Sequence, residues 1–488
     1  GGGGGMKLLI RDIIEATGGK LLAGAGTGQA EGVSTDTRTV RRGELFFALK
    51  GPNFDGHGFV GEAAKRGASG AVAAAVVEEG MRDVLVKDLP TSFNLIAVKD
   101  TLTALGDLAG FVRRSRPVPV VAISGSTGKT TVKEMLASIL STTKSVLKTE
   151  GNMNNLVGLP LTLFGLSDVQ EVVVVELGIS EPGEMERLAE ICGADVAVVT
   201  NVGRGHLEGL GSLDGVAEEK GYLFRSLGPR GTGVVNADDP RVMKIADRAG
   251  LKGDRMITFG LAGFAEVRIK CFSRNGANVA NTIDTVYEIR GEDVEVRLNS
   301  PWSCNVYNGA AAAAAALSLG VRVDEIREGL TSYLPMPGRM EVLDLDGLTV
   351  FDDTYNANPE SVTAALKTLS SVGTGLKVAV LGDMLELGKV SSEAHHEIGQ
   401  LSAELGLDVL LCVGEWAAAI SEGARDGGME KENIHCFDDN RGALEMLRSS
   451  LGKGDTVLIK GSRAVRMEEL VEGLKEERLG KAARSNGL

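Results

Sequence analysis

No uninterrupted apolar run in this sequence approaches the roughly 18 residues that a membrane-spanning helix needs, since even Gly309 to Leu319 is short and mostly alanine. No signal peptide is evident at the N-terminus either. The Gly1 to Gly5 run before Met6 has no fold logic, and the natural start is read at Met6. Cysteine is scarce: Cys192, Cys271, Cys304, Cys412 and Cys436 are odd in number, widely spaced and without paired metal or redox spacing. That excludes a disulfide framework and predicts reduced, mostly buried thiols in a cytoplasmic protein. Positive charge is also short, and a formal net charge of −14 excludes a general nucleic-acid binder. Any anionic ligand must therefore be held by local Lys, Arg and backbone N–H groups. Low-complexity sequence is almost absent, and with 43% hydrophobic and 24% charged residues the chain is composed to fold.

What is present is length and alternation. At about 150 residues per domain, 488 residues imply about three domains. From Pro117 onward, short β-branched runs alternate with helical stretches (PVPVVAIS, TTVKEMLASIL, EVVVVEL, EMERLAEICG, DVAVVTNV), which signals parallel α/β architecture. A second series, LTVFDD, KVAVLGDM, DVLLCVG and DTVLIKGS, implies a second α/β unit. Between the two, an alanine-rich helix after Asn305 leads into LPMPGRM, where Pro335, Pro337 and Gly338 break helix and suggest a hinge. The segment before Lys99 reads as a small separate α/β domain. Domain boundaries are expected at 6–99, 100–331 and 332–488.

VVAISGSTGKTTVKEML places a strand, a Gly-rich turn and a helix in succession, as phosphate binding requires. Gly125 and Gly128 let the backbone turn inward, the helix start offers free N–H donors, and Lys129 can neutralise phosphate oxygens. The hydroxyl of Thr130 is placed to ligate Mg²⁺. The loop is a short variant, because the first glycine of G-x-x-x-x-G-K-[ST] would fall at Ile123. Glu176 ends the apolar strand EVVVVEL, where open α/β sheets put their ligands; it is a candidate Mg²⁺ ligand beside Thr130, or a solvent-facing strand end. His206 follows the next strand as a loop histidine, either solvated or a metal ligand. Lys220, beside Glu218 and Glu219, is by default a solvated charge.

Together these residues resemble the Mur ligase family. GSTGKTT is similar to that family's ATP loop, and HLEGLGSLDGVAEEK to the stretch in which a lysine is carbamylated by CO₂. STDTRTVRRGELFFALKGPNFDGHGF, DDTYNANPES and VLGDMLELG resemble the subgroup that adds D-alanyl-D-alanine to a UDP-N-acetylmuramoyl-tripeptide. The similarity runs from about Leu8 to about Glu472, with the motifs in the expected order.

The resemblance implies an α/β protein of three domains: a small N-terminal UDP-binding domain, a central P-loop ATPase domain on a parallel sheet, and a C-terminal Rossmann-like domain. It implies a cytoplasmic, monomeric ligase of peptidoglycan synthesis, serving cell shape and division, that uses ATP and two Mg²⁺ ions and passes through an acyl phosphate. By the same resemblance, Gly125, Ser126, Thr127, Gly128, Lys129, Thr130 and Thr131 hold the phosphates, while Asn305 and Asn308 contact adenine, unless they simply cap a helix. Relatives commonly carry His where this chain has Cys304. Arg339, Asp353, Tyr355 and Asn356 border the nucleotide, and Asn358 lies near the dipeptide. Ser34, Thr35, Arg38 and His57 hold the UDP end, and Asn152, Asn154 and Asn155 sit near substrate and phosphates. Thr130 and Glu176 hold one Mg²⁺, and His206 and carbamylated Lys220 the other; Lys129, His206 and Lys220 carry catalysis. Lys460, Ser462 and Arg463 of LIKGSR rank lower. The competing readings are a ligase for a free amino acid, a P-loop switch that hydrolyses ATP without making a bond, and a scaffold with a vestigial site.

Overall fold

The computed structural model describes residues 7–74, 89–274 and 282–485. Each of three α/β regions is built on its own sheet. In the first, five strands run in the order Lys20–Ala23, Asn94–Val98, Gly70–Ala74, Leu45–Phe47, Val33–Ser34, parallel except for the antiparallel edge Lys20–Ala23.

The central sheet has nine strands. Val120–Ser124, buried along its whole length, lies between Val172–Glu176 and Val196–Val199. A run this uniformly apolar suits a strand covered on both faces by helices. The chain leaves Val120–Ser124 toward one side of the sheet and later returns to the other, so its carboxyl end is a topological switch point, where such sheets open a crevice for ligands. Strand–helix alternation does not continue to the end of this region. Val267–Arg274, Ile283–Ile289 and Glu292–Leu298 form an antiparallel meander at the sheet edge. Its signature is IDTVYEI, in which alternate residues are buried, the period-2 pattern of a sheet covered on one face.

The alanine-rich helix, Cys304–Ser318, packs between this meander and the helix Lys129–Leu140. Small side chains permit the approach: a Cβ on Gly309 would lie 2.5 Å from the Tyr287 hydroxyl, which donates to the Val306 carbonyl at 2.8 Å.

The third sheet has six strands, ordered Glu341–Leu345, Leu348–Asp353, Thr456–Lys460, Lys377–Gly382, Val409–Val413, Ile434–Phe437. Only the edge strand Glu341–Leu345 is antiparallel. Residues 333–340 join this region to the central one, with Gly338 at φ +70°. Trp302 also crosses between them. It arises just before the alanine-rich helix yet is fully buried against Phe351, Ala365 and Leu366, its ring centroid 5.3 Å from that of Phe351.

Candidate active site

The turn Gly125 to Gly128 joins Val120–Ser124 to Lys129–Leu140 at the switch point. Both glycines are required by space and backbone: Gly125 has φ +150° and a Cβ there would meet Thr200 Oγ1 at 1.9 Å, while Gly128 has φ +82° and a Cβ would meet Asn308 Oδ1 at 2.4 Å. The neighbouring strand end braces the turn. Thr127 N–H donates to Asn201 Oδ1 (2.9 Å), Thr200 Oγ1 to the Thr127 carbonyl (2.6 Å), and Gly203 N–H to Ser126 Oγ (2.8 Å). Thr131 is buried one residue beyond Thr130. Lys129 Nζ folds over the loop onto the Gly125 carbonyl at 2.8 Å. Burial pushes its pKa below the ordinary lysine value; Arg339 adds to this and Glu176 opposes it.

Thr130 Oγ1 donates to Glu176 Oε2 at 2.6 Å, both residues being buried. Asn154 holds the other carboxylate oxygen at 2.9 Å, and Thr149 Oγ1 accepts the Glu176 N–H at 3.0 Å. Glu176 is therefore fixed toward the phosphate turn rather than facing solvent. A hydroxyl and a carboxylate side by side are the hard oxygen donors Mg²⁺ prefers, with phosphate and water completing its shell. Nearby, Asn155 Oδ1 accepts N–H groups of Val157 and Gly158 at a helix start, and Asn152 is exposed.

These groups face the third region across a cavity of about 640 Å³. Its wall includes Ser126 to Thr131, Asn152, Asn154, Asn155, Glu176, His206 and Asn308 on one side and Arg339, Asp353, Tyr355, Asn356, Asn358, Lys460 and Arg463 on the other. Arg339 stacks its guanidinium 3.7 Å above the Tyr355 ring. Lys460 is buried and donates to Asp353 (2.5 Å) and to the Asn356 carbonyl (2.8 Å), so it organises this loop from behind. Ser462 Oγ accepts the Leu385 N–H at 2.9 Å. Asn358 caps the helix Pro359–Val372 and also donates to the Ser126 carbonyl at 3.3 Å, touching the phosphate turn from the third region.

Other expected residues lie apart from that wall. Asn305 is fully buried behind Asn308, donating to Ser300 Oγ (2.7 Å) and accepting from Asn308 (2.9 Å). Neither asparagine caps the helix, because Ser303 occupies that position. Ser34, Thr35, Arg38 and His57 sit in the first region. Arg38 pairs with Asp36 at 2.6 Å in an exposed turn. Both His57 nitrogens are engaged, Nδ1 by Asp55 (2.5 Å) and Nε2 by the Ala74 N–H (2.9 Å).

Lys220 is not a solvated charge. On the helix Leu213–Arg225 it is 1% exposed, and no hydrogen bond to its amine occurs among the described residues. Burial first, and then the charge of Lys129, hold its pKa well below the usual lysine value. A neutral buried amine is the form that adds CO₂.

Sequence reasoning assigned no role to Glu386, in VLGDMLELG. Its carboxylate reaches across from the third region to His206 Nδ1, and its carbonyl accepts the Glu208 N–H at 3.1 Å. Both partners hold left-handed backbones, φ +62° at His206 and +63° at Glu386; such conformations cost non-glycine residues about 1 kcal/mol or more, so the surrounding contacts must sustain them. The His206 hydrogen bond holds the Glu386 carboxyl below its ordinary value, with Lys129 contributing. Alongside, Arg204 bridges Glu360 (3.2 Å) and Glu397 (2.6 Å) on two third-region helices.

Three stretches of the chain match family models. Residues 123–316 match the Mur ligase middle domain, 338–463 the Mur ligase glutamate ligase domain, and 29–113 the Mur ligase family catalytic domain. The UDP-N-acetylmuramoyl-tripeptide--D-alanyl-D-alanine ligase of Escherichia coli is 36% identical, over 91% of this chain and 94% of that protein. The Bacillus subtilis enzyme of the same name is 34% identical, over 92% and 94%. Among solved structures, MurF from Acinetobacter baumannii superimposes with a TM-score of 0.87 at 30% identity, over 97% of this chain and all of that one. MurF from Thermotoga maritima in complex with ADP gives 0.78 at 31% identity, over 92% and 98%. With the phosphate turn, the buried carboxylate and the facing third region in place, and with relatives matching nearly end to end, the chain belongs to the Mur ligase family.

Proposed function

We propose that this chain joins D-alanyl-D-alanine to UDP-N-acetylmuramoyl-tripeptide at the expense of ATP, yielding the pentapeptide precursor of peptidoglycan. The observation that carries the reading is the meeting, in one cavity, of the phosphate turn with its Thr130–Glu176 pair and the Arg339–Tyr355 face of the third region; the substrates are those named for the relatives. Among the described residues no helix is long and apolar enough to cross a membrane, and we place the enzyme in the cytoplasm as a monomer.

A carboxylate is a poor acyl donor. The terminal carboxylate oxygen of the tripeptide attacks the γ-phosphorus, ADP departs, and an acyl phosphate results. The dipeptide amine then attacks the acyl carbon, phosphate leaves, and the amide forms with loss of the amine proton. Phosphoryl transfer needs charge neutralisation and alignment more than covalent help. The backbone N–H groups after Gly125, the Lys129 ammonium and the Arg339 guanidinium supply them from two regions. Mg²⁺ held by Thr130 and Glu176, and a second ion held by His206 and carbamylated Lys220, would neutralise phosphate oxygens. Glu386 takes the Nδ1–H of His206 and leaves Nε2 free as a ligand. Contacts from Glu386, Asn358 and Arg204 close the third region over the turn, which keeps water from an acyl phosphate.

The test is phosphate release from ATP and Mg²⁺ with the UDP-linked tripeptide, with and without D-alanyl-D-alanine, alongside mass detection of the pentapeptide. Release that requires both substrates is expected, and release indifferent to them would transfer the assignment to an ATPase switch. Lys129→Ala abolishes turnover; normal activity in that variant would remove the phosphate turn from the mechanism.

A further inference from the structure

Cys412 and Cys436 are 24 residues apart in sequence, with no redox spacing, yet the third sheet sets them directly opposite one another on the adjacent parallel strands Val409–Val413 and Ile434–Phe437. Neighbouring strands lie about 4.8 Å apart, within the roughly 4.4–6.8 Å between Cα atoms that a disulfide spans, and residues in register project to the same face. The two sulfurs differ in access: Cys412 is buried but Cys436 is exposed, as is Cys271, so the expectation of mostly buried thiols fails; both are free thiols. Neither lines the nucleotide cavity. We propose that Cys436 and Cys412 form a reversible thiol–disulfide site whose reaction partner is a low-molecular-weight disulfide, with Cys436 the attacking and Cys412 the resolving sulfur.

The Cys436 thiolate attacks one sulfur of the small disulfide, forming a mixed disulfide and expelling one thiolate, which takes up a proton. The Cys412 thiol then loses its proton and attacks the Cys436 sulfur, expelling the second small thiol. Two protein thiols are oxidised to one disulfide while one small disulfide is reduced to two thiols. The surroundings favour this order of attack. A hydrogen bond from Cys412, with the Ser421 hydroxyl and the Arg425 charge, draws the Cys436 pKa down to about 6 against the opposing effect of partial burial, whereas Cys412 is held well above the ordinary thiol value.

Treatment of the full chain with oxidised glutathione at pH 6 tests this, with the exposed Cys271 as internal reference. A Cys436 thiol drawn down to about 6 is far more ionised at that pH than an ordinary thiol of pKa about 8.5, of which about 0.3% is thiolate; after the lower nucleophilicity of the weaker base, Cys436 should react roughly tenfold faster. The expected result is a linked Cys412–Cys436 peptide in the wild-type chain, and a glutathione adduct persisting on Cys436 in Cys412→Ala. An adduct that persists on Cys436 in the wild-type chain, or Cys436 reacting no faster than Cys271, would overturn the proposal. Should Cys412→Ala fail to fold, Cys412→Ser replaces it: an adduct persisting on Cys436 supports the site, and its absence removes it.

Discussion

Glu386→Ala isolates one cross-region contact. The substitution removes the carboxylate that accepts from His206 Nδ1, but the Glu386 carbonyl still accepts the Glu208 N–H at 3.1 Å and the Arg204 bridges stay in place. The loop therefore remains docked while His206 is freed to rotate and to change tautomer. Outer partners of a metal-bound histidine are typically worth about ten- to a hundredfold in metal affinity, which is about 1.4–2.7 kcal/mol. The assay is a Mn²⁺ titration by electron paramagnetic resonance in the presence of a non-hydrolysable ATP analogue. Wild type should fill a tight and a second site; Glu386→Ala should weaken only the second by that factor, and Glu386→Gln, which keeps an acceptor without charge, should fall between. The metal-free chain offers a separate readout, because the ¹⁵N shifts of His206 should lose their preference for the Nδ1–H tautomer in Glu386→Ala. Unchanged second-site affinity in Glu386→Ala, together with weakened affinity in His206→Ala, would refute the positioning role alone. Unchanged affinity in both would remove His206 from the metal site.

Four further outcomes follow from single residues. Gly128→Ala forces φ +82° on alanine and drives its Cβ to 2.4 Å from Asn308 Oδ1; the backbone alone costs about 1–2 kcal/mol, and ATP affinity should fall by at least that much in calorimetry. Trp302→Ala empties a fully buried site against Phe351 and should cost about 3–5 kcal/mol in urea unfolding, with unchanged stability contradicting an anchoring role. In CO₂-free buffer, Lys220 is neutral in the native chain down to a pH well below the ordinary lysine value but protonated in the unfolded chain up to about pH 10.4. The unfolded state then binds the extra proton, so stability should rise with pH across that window, and Lys220→Met should flatten the rise. Lys220→Ala should lose activity that short carboxylates partly restore, and an unaffected rate would remove the carbamate.

Local pattern carried the strand–turn–helix at Ser124 to Lys129, because the glycines, the apolar strand and the helix start lie within a few residues and each constrains the next. The parallel sheets followed from the same kind of local alternation. The meander departs from that strand–helix alternation, and its own local signal is different: IDTVYEI and EDVEVRL carry a two-residue period. From its polar neighbours Glu218 and Glu219 alone, Lys220 is by default a solvated helix charge, and only the family resemblance gives it a role; the packing of Leu213–Arg225 turns it inward.

Contacts between regions were the least legible part, and they are the part that closes the cavity. His206 and Glu386 are 180 positions apart, Arg204 and Glu397 193, and Ser126 and Asn358 232; no local pattern links such pairs. Each is a polar or charged contact with a partly exposed partner, worth no more than about 1 kcal/mol for the surface ion pairs, rather than part of an apolar core. That weakness suits an enzyme that must open to admit a nucleotide, a tripeptide and a dipeptide and close before the acyl phosphate meets water. Trp302 supplies the contrasting term: its indole, fully buried among third-region side chains beside the linker, is an apolar anchor between the two regions, unlike the polar contacts of His206, Arg204 and Ser126. Replacing Arg204 by Ala should therefore raise the fraction of open chains seen by small-angle scattering in the nucleotide-bound enzyme while leaving the unfolding free energy from urea titration within about 0.5 kcal/mol of wild type; a large loss of stability without opening would show that the bridge belongs to the fold and not to the closure.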